Sequence, residues 1–339
     1  MRRRVFLGLA AAAIAVASAA PLAIGRRPTP TPPSEILLAV PAGLDTYVPG
    51  APGIGSTRTI RLGEALFFET GLSEDGTRSC ASCHRPEYAF ADTNSVSPGV
   101  HGRLGNRNAP SIVNAAYGAS FGWDGAASTL EEQVLRPFGD PVEFGASLGG
   151  AIERLRQKPE YRAAFRRAYG GGIDPEKVAQ ALADYVRTLL SGNSHLDRFR
   201  AGDTLALSAE ARAGFLLFNG RARCSLCHTG PLFSDGEFHN TGVSPGADPG
   251  RMSVTGRPGD RGAFRTPSLR NVARTAPYMH DGSMRSLEEV VDFYDRGGGP
   301  NAFLDAQLRP LDLTPAEKAQ LIVFLRALTS GEHALAARE

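Results

Sequence analysis

All four cysteines of this 339-residue chain fall in two copies of one pattern. Cys80-Ala81-Ser82-Cys83-His84 is matched by Cys224-Ser225-Leu226-Cys227-His228. Thiols about one helical turn apart can each add to a vinyl group of a single haem, and the imidazole that follows can then bind its iron. A zinc site built from the cysteine pairs would leave the histidine after each pair unexplained. A redox dithiol would leave the duplication unexplained. Four cysteines in an exported chain commonly mean disulfides; this spacing predicts thioethers to two covalently bound haem c groups.

The elements that must position these motifs repeat as well. Gly63-Glu64-Ala65-Leu66-Phe67 precedes the first motif and Phe90-Ala91-Asp92 follows it. Gly214-Phe215-Leu216-Leu217-Phe218 precedes the second and Phe233-Ser234-Asp235 follows it. This duplication predicts two related haem domains, each with a short amphipathic helix running into its haem loop. Asp174-Pro175 supplies an N-cap and a first-turn proline for a helix bearing Val178, Leu182, Val186 and Leu189. Ser208 caps a helix with Ala211, Phe215 and Phe218. Thr314-Pro315-Ala316-Glu317 is a capping box before Leu321, Phe324, Leu325 and Leu328. Thr129 with Glu132, and Ser286 with Glu289, have the same spacing. No run reads as a convincing strand. The expected fold is all-α: two cytochrome c-like haem domains with long loops, their haems on facing sides of the domain interface.

A formal net charge of +2 with no Lys/Arg run argues against a nucleic-acid partner. Arg2, Arg3 and Arg4, a short apolar core over 5–16 and Ala17-Ser18-Ala19 read as a signal peptide, residues 1–19. Retention of this segment as an anchor is the rival reading, because apolar character persists to Ile24. No later segment has the length and apolarity of a membrane span. With the segment cleaved, the mature protein is expected in the periplasm, where c-type haem is attached. Residues 20–55 form a Pro-rich leader. A boundary between Ser191 and Asp203 divides the remainder into domains 56–195 and 196–339.

Three further stretches sharpen the reading: Asn108-Ala109-Pro110-Ser111-Ile112-Val113-Asn114; Gly122-Trp123-Asp124-Gly125 with Gln133 and Glu143 downstream; and Arg265-Thr266-Pro267-Ser268-Leu269-Arg270-Asn271 running to Tyr278-Met279-His280-Asp281-Gly282. With the haem motifs, they make residues 59–328 resemble the bacterial di-haem cytochrome c peroxidase superfamily, which includes MauG. The resemblance implies that Trp123, a core aromatic on any bland reading, relays an electron hole between the haems. It implies that Glu143 and Gln133 line the distal pocket over the first iron, where a carboxylate can take a proton from hydrogen peroxide and return it to the leaving oxygen. His84 would then be the proximal ligand of an open first iron. In many of these peroxidases a histidine near the place of His101 binds that iron at rest; His101 reads equally as a surface-loop residue. An inter-domain calcium ion, held by Asn108 and the Thr275 and Pro277 carbonyls, is also implied.

The second iron, held by His228, separates the branches. The peroxidases place a methionine where this chain has Tyr294; MauG-like proteins place a tyrosine. A phenolate oxygen stabilises oxidised iron. The helix begun at Ser286 would carry Leu287, Val290, Val291 and Tyr294 on one apolar face, whereas Met279 and Met284 flank a turn. The leading expectation is a MauG-like enzyme that uses hydrogen peroxide to form high-valent haem iron and oxidises an aromatic (Trp) side chain of a partner protein. The alternatives are a cytochrome c peroxidase fed by a small cytochrome c or cupredoxin, and a non-enzymatic di-haem electron carrier.

Overall fold

The computed structural model describes residues 40–45, 55–244, 246–330 and the backbone of 334–335. The expected signal segment, 1–19, lies outside the described residues, as does most of the leader. All described residues belong to one compact unit, 35–339.

The chain runs through helices α1 (Thr57–Phe67), α2 (Leu130–Gly139), α3 (Leu148–Gln157), α4 (Pro159–Tyr169) and α5 (Pro175–Arg187) to the two-residue strand β1 (Leu189–Leu190). It continues through α6 (His195–Arg200), α7 (Ala209–Asn219), β2 (Phe238–His239), α8 (Met252–Thr255), β3 (Phe264–Arg265), α9 (Leu287–Asp295), α10 (Pro315–Arg326) and β4 (Ala334–Leu335). The strands make two short antiparallel pairs, β1 with β4 and β2 with β3. The fold is thus mostly helical, as expected. The haem motifs lie in long loops, after α1 and after α7. No helix among the described residues is long and apolar enough to cross a membrane.

The helix starts follow their capping residues. Asp174 accepts from the Lys177 amide, Ser208 from Ala211 and Ser286 from Glu289. Thr314 and Glu317 complete a reciprocal box. The other two expected boxes are displaced by one residue: Glu132 reaches back to the Ser128 amide and Glu289 to the Arg285 amide. Val178, Leu182 and Val186 are buried on α5 as their spacing requires. Leu189 is also buried, but on β1: the helix ends at Arg187. The stretch 191–203, expected to separate two helices, itself contains α6.

Two large hydrophobic clusters form, one from residues 60–189 and one from 196–328, beside a small third of Leu44, Ala116 and Leu190. Each large cluster is centred on the same kind of helix pair, α1 against α5 and α7 against α10. The repeated glycine explains the closeness of both crossings. A Cβ on Gly63 would collide with the Ala181 carbonyl of α5, and one on Gly214 with the Gln320 carbonyl of α10. The repeated phenylalanine pairs lie beneath: Phe67 meets Phe90 at 6.1 Å between centroids, and Phe218 meets Phe233 at 6.3 Å, both edge-on.

A side chain at either crossing must push two backbones apart. Gly63→Ala and Gly214→Ala should each cost about 1–3 kcal/mol, lowering Tm by several degrees in thermal unfolding followed by circular dichroism. Gly139→Ala on α2, where a Cβ meets nothing within 4 Å, should leave Tm unchanged or slightly raised.

Candidate haem sites

Each Cys-x-x-Cys-His motif is folded as one tight helical turn. The His84 amide donates to Cys80 O and the His228 amide to Cys224 O, both at 2.9 Å. No disulfide joins any of the four cysteines. Burial pushes the Cys80 and Cys224 thiols up to about 12, so the haem-free chain holds both neutral.

The proximal imidazoles are aimed by carbonyls. His84 Nδ1–H donates to Phe90 O and Pro110 O, each at 3.1 Å. His228 Nδ1–H donates to Phe233 O at 2.9 Å. Phe90 and Phe233 have φ of 57° and 55°, the left-handed conformation that turns their carbonyls back toward the histidines. The proline segments are held in parallel fashion, by Ser111 Oγ donating to Ala89 O (2.6 Å) and Ser268 Oγ to Leu232 O (2.7 Å). With Nδ1 occupied, each histidine keeps Nε2 free, and burial lowers both pKa values so that the rings are neutral.

Both turns open onto a single cavity of about 810 Å³, lined also by Trp123, Gln133, Glu143 and Tyr294. Gln133, on α2, has a buried side-chain oxygen without a hydrogen-bond partner. Glu143 opens into the cavity from a turn pinned by Asp140, whose Oδ1 accepts from the Val142 and Glu143 amides at 2.6 and 3.1 Å. The Val100 amide donates to Val142 O at 2.9 Å and holds the same turn from behind. Burial, reinforced by the Asp140 charge and opposed by Arg136, raises the Glu143 carboxyl above the ordinary glutamate range.

Trp123 sits where the two halves meet. Its indole N–H donates to Asn108 O and its carbonyl accepts from the Arg265 amide, both at 2.8 Å. Tyr294, on α9, lines the cavity beside Cys224 and Cys227. Burial pushes its phenol well above the usual range, with both sulfurs adding to the rise and Thr241 opposing it. Met279 lines the cavity too, from a turn with φ of 72°; Met284 does not. His101 is not brought to the cavity. It is half exposed, 3.7 Å from Glu74 and 3.8 Å from Asp75, and its amide donates to Asp75.

The sequence profile of the di-haem cytochrome c peroxidase family matches residues 57–205. The chain is 40% identical to methylamine utilization protein MauG of Methylorubrum extorquens over 276 residues, 79% of this chain and 77% of that protein. The chain belongs to the di-haem cytochrome c peroxidase family. Another family member, cytochrome-c peroxidase IdrP1 of a Pseudomonas species, is 38% identical over 82% of each chain. Among solved structures, a MauG-like protein associated with microbial copper homeostasis matches with a TM-score of 0.77 at 35% identity, over 88% of this chain and 95% of that one. The diheme peroxidase BthA of Burkholderia thailandensis matches with a TM-score of 0.72 at 25% identity, over 84% and 90%. Relatives bear both names, so membership establishes a haem oxidoreductase and leaves the choice between two chemistries to the site.

Membership implies two haem c groups, and the di-haem family member's residues fit them: paired thiols, a free Nε2 after each pair, and one cavity reaching both. The calcium set has compatible chemistry. Asn108 gives its amide N–H to Asn94 O at 2.9 Å, and among the described residues Asn108 Oδ1 and the Thr275 and Pro277 carbonyls accept no hydrogen bond. His239, on β2, is a cavity residue with no motif signal; it is held between Asp305 (2.6 Å) and Asp235 (3.0 Å).

A denatured-haem assay on the mature protein should count two haems per chain. Cys227→Ala should leave the first attached and the second loosely held or lost; one haem in the unmutated protein would contradict the assignment.

Proposed function

We propose that the protein is a periplasmic, MauG-like di-haem enzyme that uses hydrogen peroxide to oxidise an aromatic side chain, a tryptophan by preference, on a partner protein. The domains 56–195 and 196–339 each carry one haem in this reading, and the division between the two hydrophobic clusters supports that partition. The observation that carries the reading is Tyr294. It lies in the cavity beside the second pair of cysteines, on a helix whose Leu287 and Val291 are buried alongside. A buried phenol with no cation nearby stays protonated; beside a bound metal cation that preference is reversed.

When bound, the haems supply the iron at which peroxide is cleaved and the oxidising equivalents are kept. The chain supplies the rest. Glu143, as carboxylate, accepts a proton from the incoming peroxide and returns it to the departing oxygen. Gln133 offers its unpartnered oxygen to the same small volume. His84 is kept neutral and fixed in direction by Phe90 and Pro110. Trp123, gripped at both ends of its residue by the two halves, is the relay between them. His101 is proposed as a surface histidine, in keeping with its place beside Glu74 and Asp75. Calcium at Asn108, Thr275 and Pro277 is proposed to brace the segment that accepts the Trp123 N–H.

The second reading is a cytochrome c peroxidase fed by a small redox protein. Met279 favours it, since its side chain also lines the cavity. Peroxide added without a donor, followed in the near-infrared, separates the two. The MauG-like reading expects a long-lived charge-resonance band that Trp123→Phe abolishes while peroxide is still consumed. Tyr294→Phe should change the spin state of the second haem alone. A methionine-to-iron charge-transfer band that survives Tyr294→Phe would put the protein with the ordinary peroxidases.

Glu143→Gln should retain both haems and slow peroxide reduction about a hundredfold or more. In the unmutated enzyme the rate should rise with pH as Glu143 loses its proton, through a midpoint above the ordinary glutamate range because burial raises that carboxyl. Stopped-flow rates across the acid range should find that limb, and find it missing in Glu143→Gln.

A further inference from the structure

Trp123 rides on a tight hairpin turn. Phe121 and Ala127 pair across it, and Gly122 and Gly125 close it with φ of 78° and 66°. Asp124, which is buried, braces the turn from inside: its Oδ1 accepts from the Ala126 amide at 3.1 Å. Other holds reach in from distant segments. Arg107 Nη1 donates to Asp124 Oδ2 at 2.7 Å, while its Nε and Nη2 form a bidentate pair with Asp248 at 2.7 and 2.9 Å. Arg251 Nη1 donates to the Asp124 and Gly125 carbonyls, both at 2.9 Å. The Arg251 guanidinium lies 4.2 Å from the centre of the Phe238 ring. A Cβ on Gly125 would strike both Phe238 and Arg251.

The turn belongs to the first half, whereas Asp248 and Arg251 belong to the second. Their segment is itself fixed: Asp248 Oδ1 accepts from the Gly250 amide, and the Arg251 amide donates to Ala263 O, both at 2.8 Å. Neither Asp248 nor Arg251 lines the cavity, so what they hold is the turn and not the cofactor space.

The residue after Arg107 completes the arrangement, because Asn108 O accepts the Trp123 indole N–H at 2.8 Å. The clamp on the turn and the acceptor for the ring are thus consecutive residues. The acceptor matters chemically. An indole that has given up an electron is a far stronger N–H acid than before. A backbone carbonyl accepts its hydrogen bond but is too weak a base to keep the proton. Asp124 and Asp248 are stronger bases, and Arg107 engages both. An indole held on Asn108 O can therefore lose an electron and regain it with its proton in place.

We propose that Asp248 and Arg251 are positioning residues for Trp123: through Arg107 and the carbonyls of 124 and 125 they hold the indole N–H on Asn108 O, and so keep the relay reversible. This deepens the relay role proposed above and rests on it. The electron that Trp123 gives to the peroxide-oxidised first haem is replaced from the second, so the indole ends as it began.

Trp123 is the one tryptophan of the chain, so the indole bands in ultraviolet resonance Raman spectra of the di-haem protein report on it alone. Arg251→Ala and Asp248→Asn should shift the N–H-sensitive band toward a weaker hydrogen bond. After peroxide addition, the near-infrared band should decay about tenfold faster or more, in keeping with the rate cost of misplacing a positioned group. The first haem should still react with peroxide. Arg251→Gln, which keeps an N–H donor without the charge, takes the place of the alanine variant if that one loses a haem. An unshifted indole band in variants that retain both haems overturns the proposal, and so does a shifted band with unchanged near-infrared decay. An unmutated protein that forms no near-infrared band refutes the relay reading instead; the Raman shift then still decides whether Asp248 and Arg251 position the indole.

Discussion

The structure depends on holding an imidazole still while leaving one of its nitrogens free. A lone histidine in a loop can turn through many orientations. Here the carbonyls of Phe90 and Pro110 occupy His84 Nδ1, and the carbonyl of Phe233 occupies that of His228. The Phe90 and Phe233 carbonyls are aimed by the left-handed conformation of those residues, whose rings are anchored on Phe67 and Phe218 at the ends of α1 and α7. Those helices can lie close to α5 and α10 because Gly63 and Gly214 carry no side chain. One chain of contacts thus runs from a glycine at a helix crossing to the direction of a free imidazole nitrogen.

The two copies are joined by buried polar residues at a seam. Asn114 and Asn271, both left-handed, converge on Ser191: Asn114 exchanges hydrogen bonds with its backbone (2.8 and 2.9 Å), and Asn271 donates to its hydroxyl at 2.8 Å. Asp197 and Arg270 form a fully buried bidentate pair, whose guanidinium also reaches Pro231 O and Gly43 O. That last bond fastens residues 40–45, the described end of the leader, against the body. Removing either partner of such a pair leaves a stranded charge, so it fixes geometry more surely than it adds stability.

Function enters where the copies diverge. The first half presents Gln133 and Glu143, polar and close to the cavity. The second presents Tyr294 from an otherwise apolar helix face, beside Cys224 and Cys227. Trp123 lies between, gripped by the backbone of Asn108 and Arg265. Equal scaffolds with unequal linings give the two haem sites of one chain different chemical surroundings.

The two Cys-x-x-Cys-His turns, the repeated helix-and-loop pattern, the helical class and most helix starts were legible in the sequence, because each rests on contacts spanning a few residues. Cys80, Cys83 and His84 share one turn whatever surrounds them, and Asp174 caps α5 through its own neighbours. Family likeness added Trp123, Gln133, Glu143 and Tyr294, and the fold places all four on one cavity. Spacing could not tell that His101 turns outward beside Glu74 and Asp75, nor that Leu189 leaves its helix for a strand pair. It could not show that His239 lies between Asp235 and Asp305. These depend on which distant segments come together, and pairings such as β2 with β3 are only two residues long and carry no periodicity to read. Local chemistry was written in the order of the residues; orientation and charge balance were decided only when the two halves closed on each other.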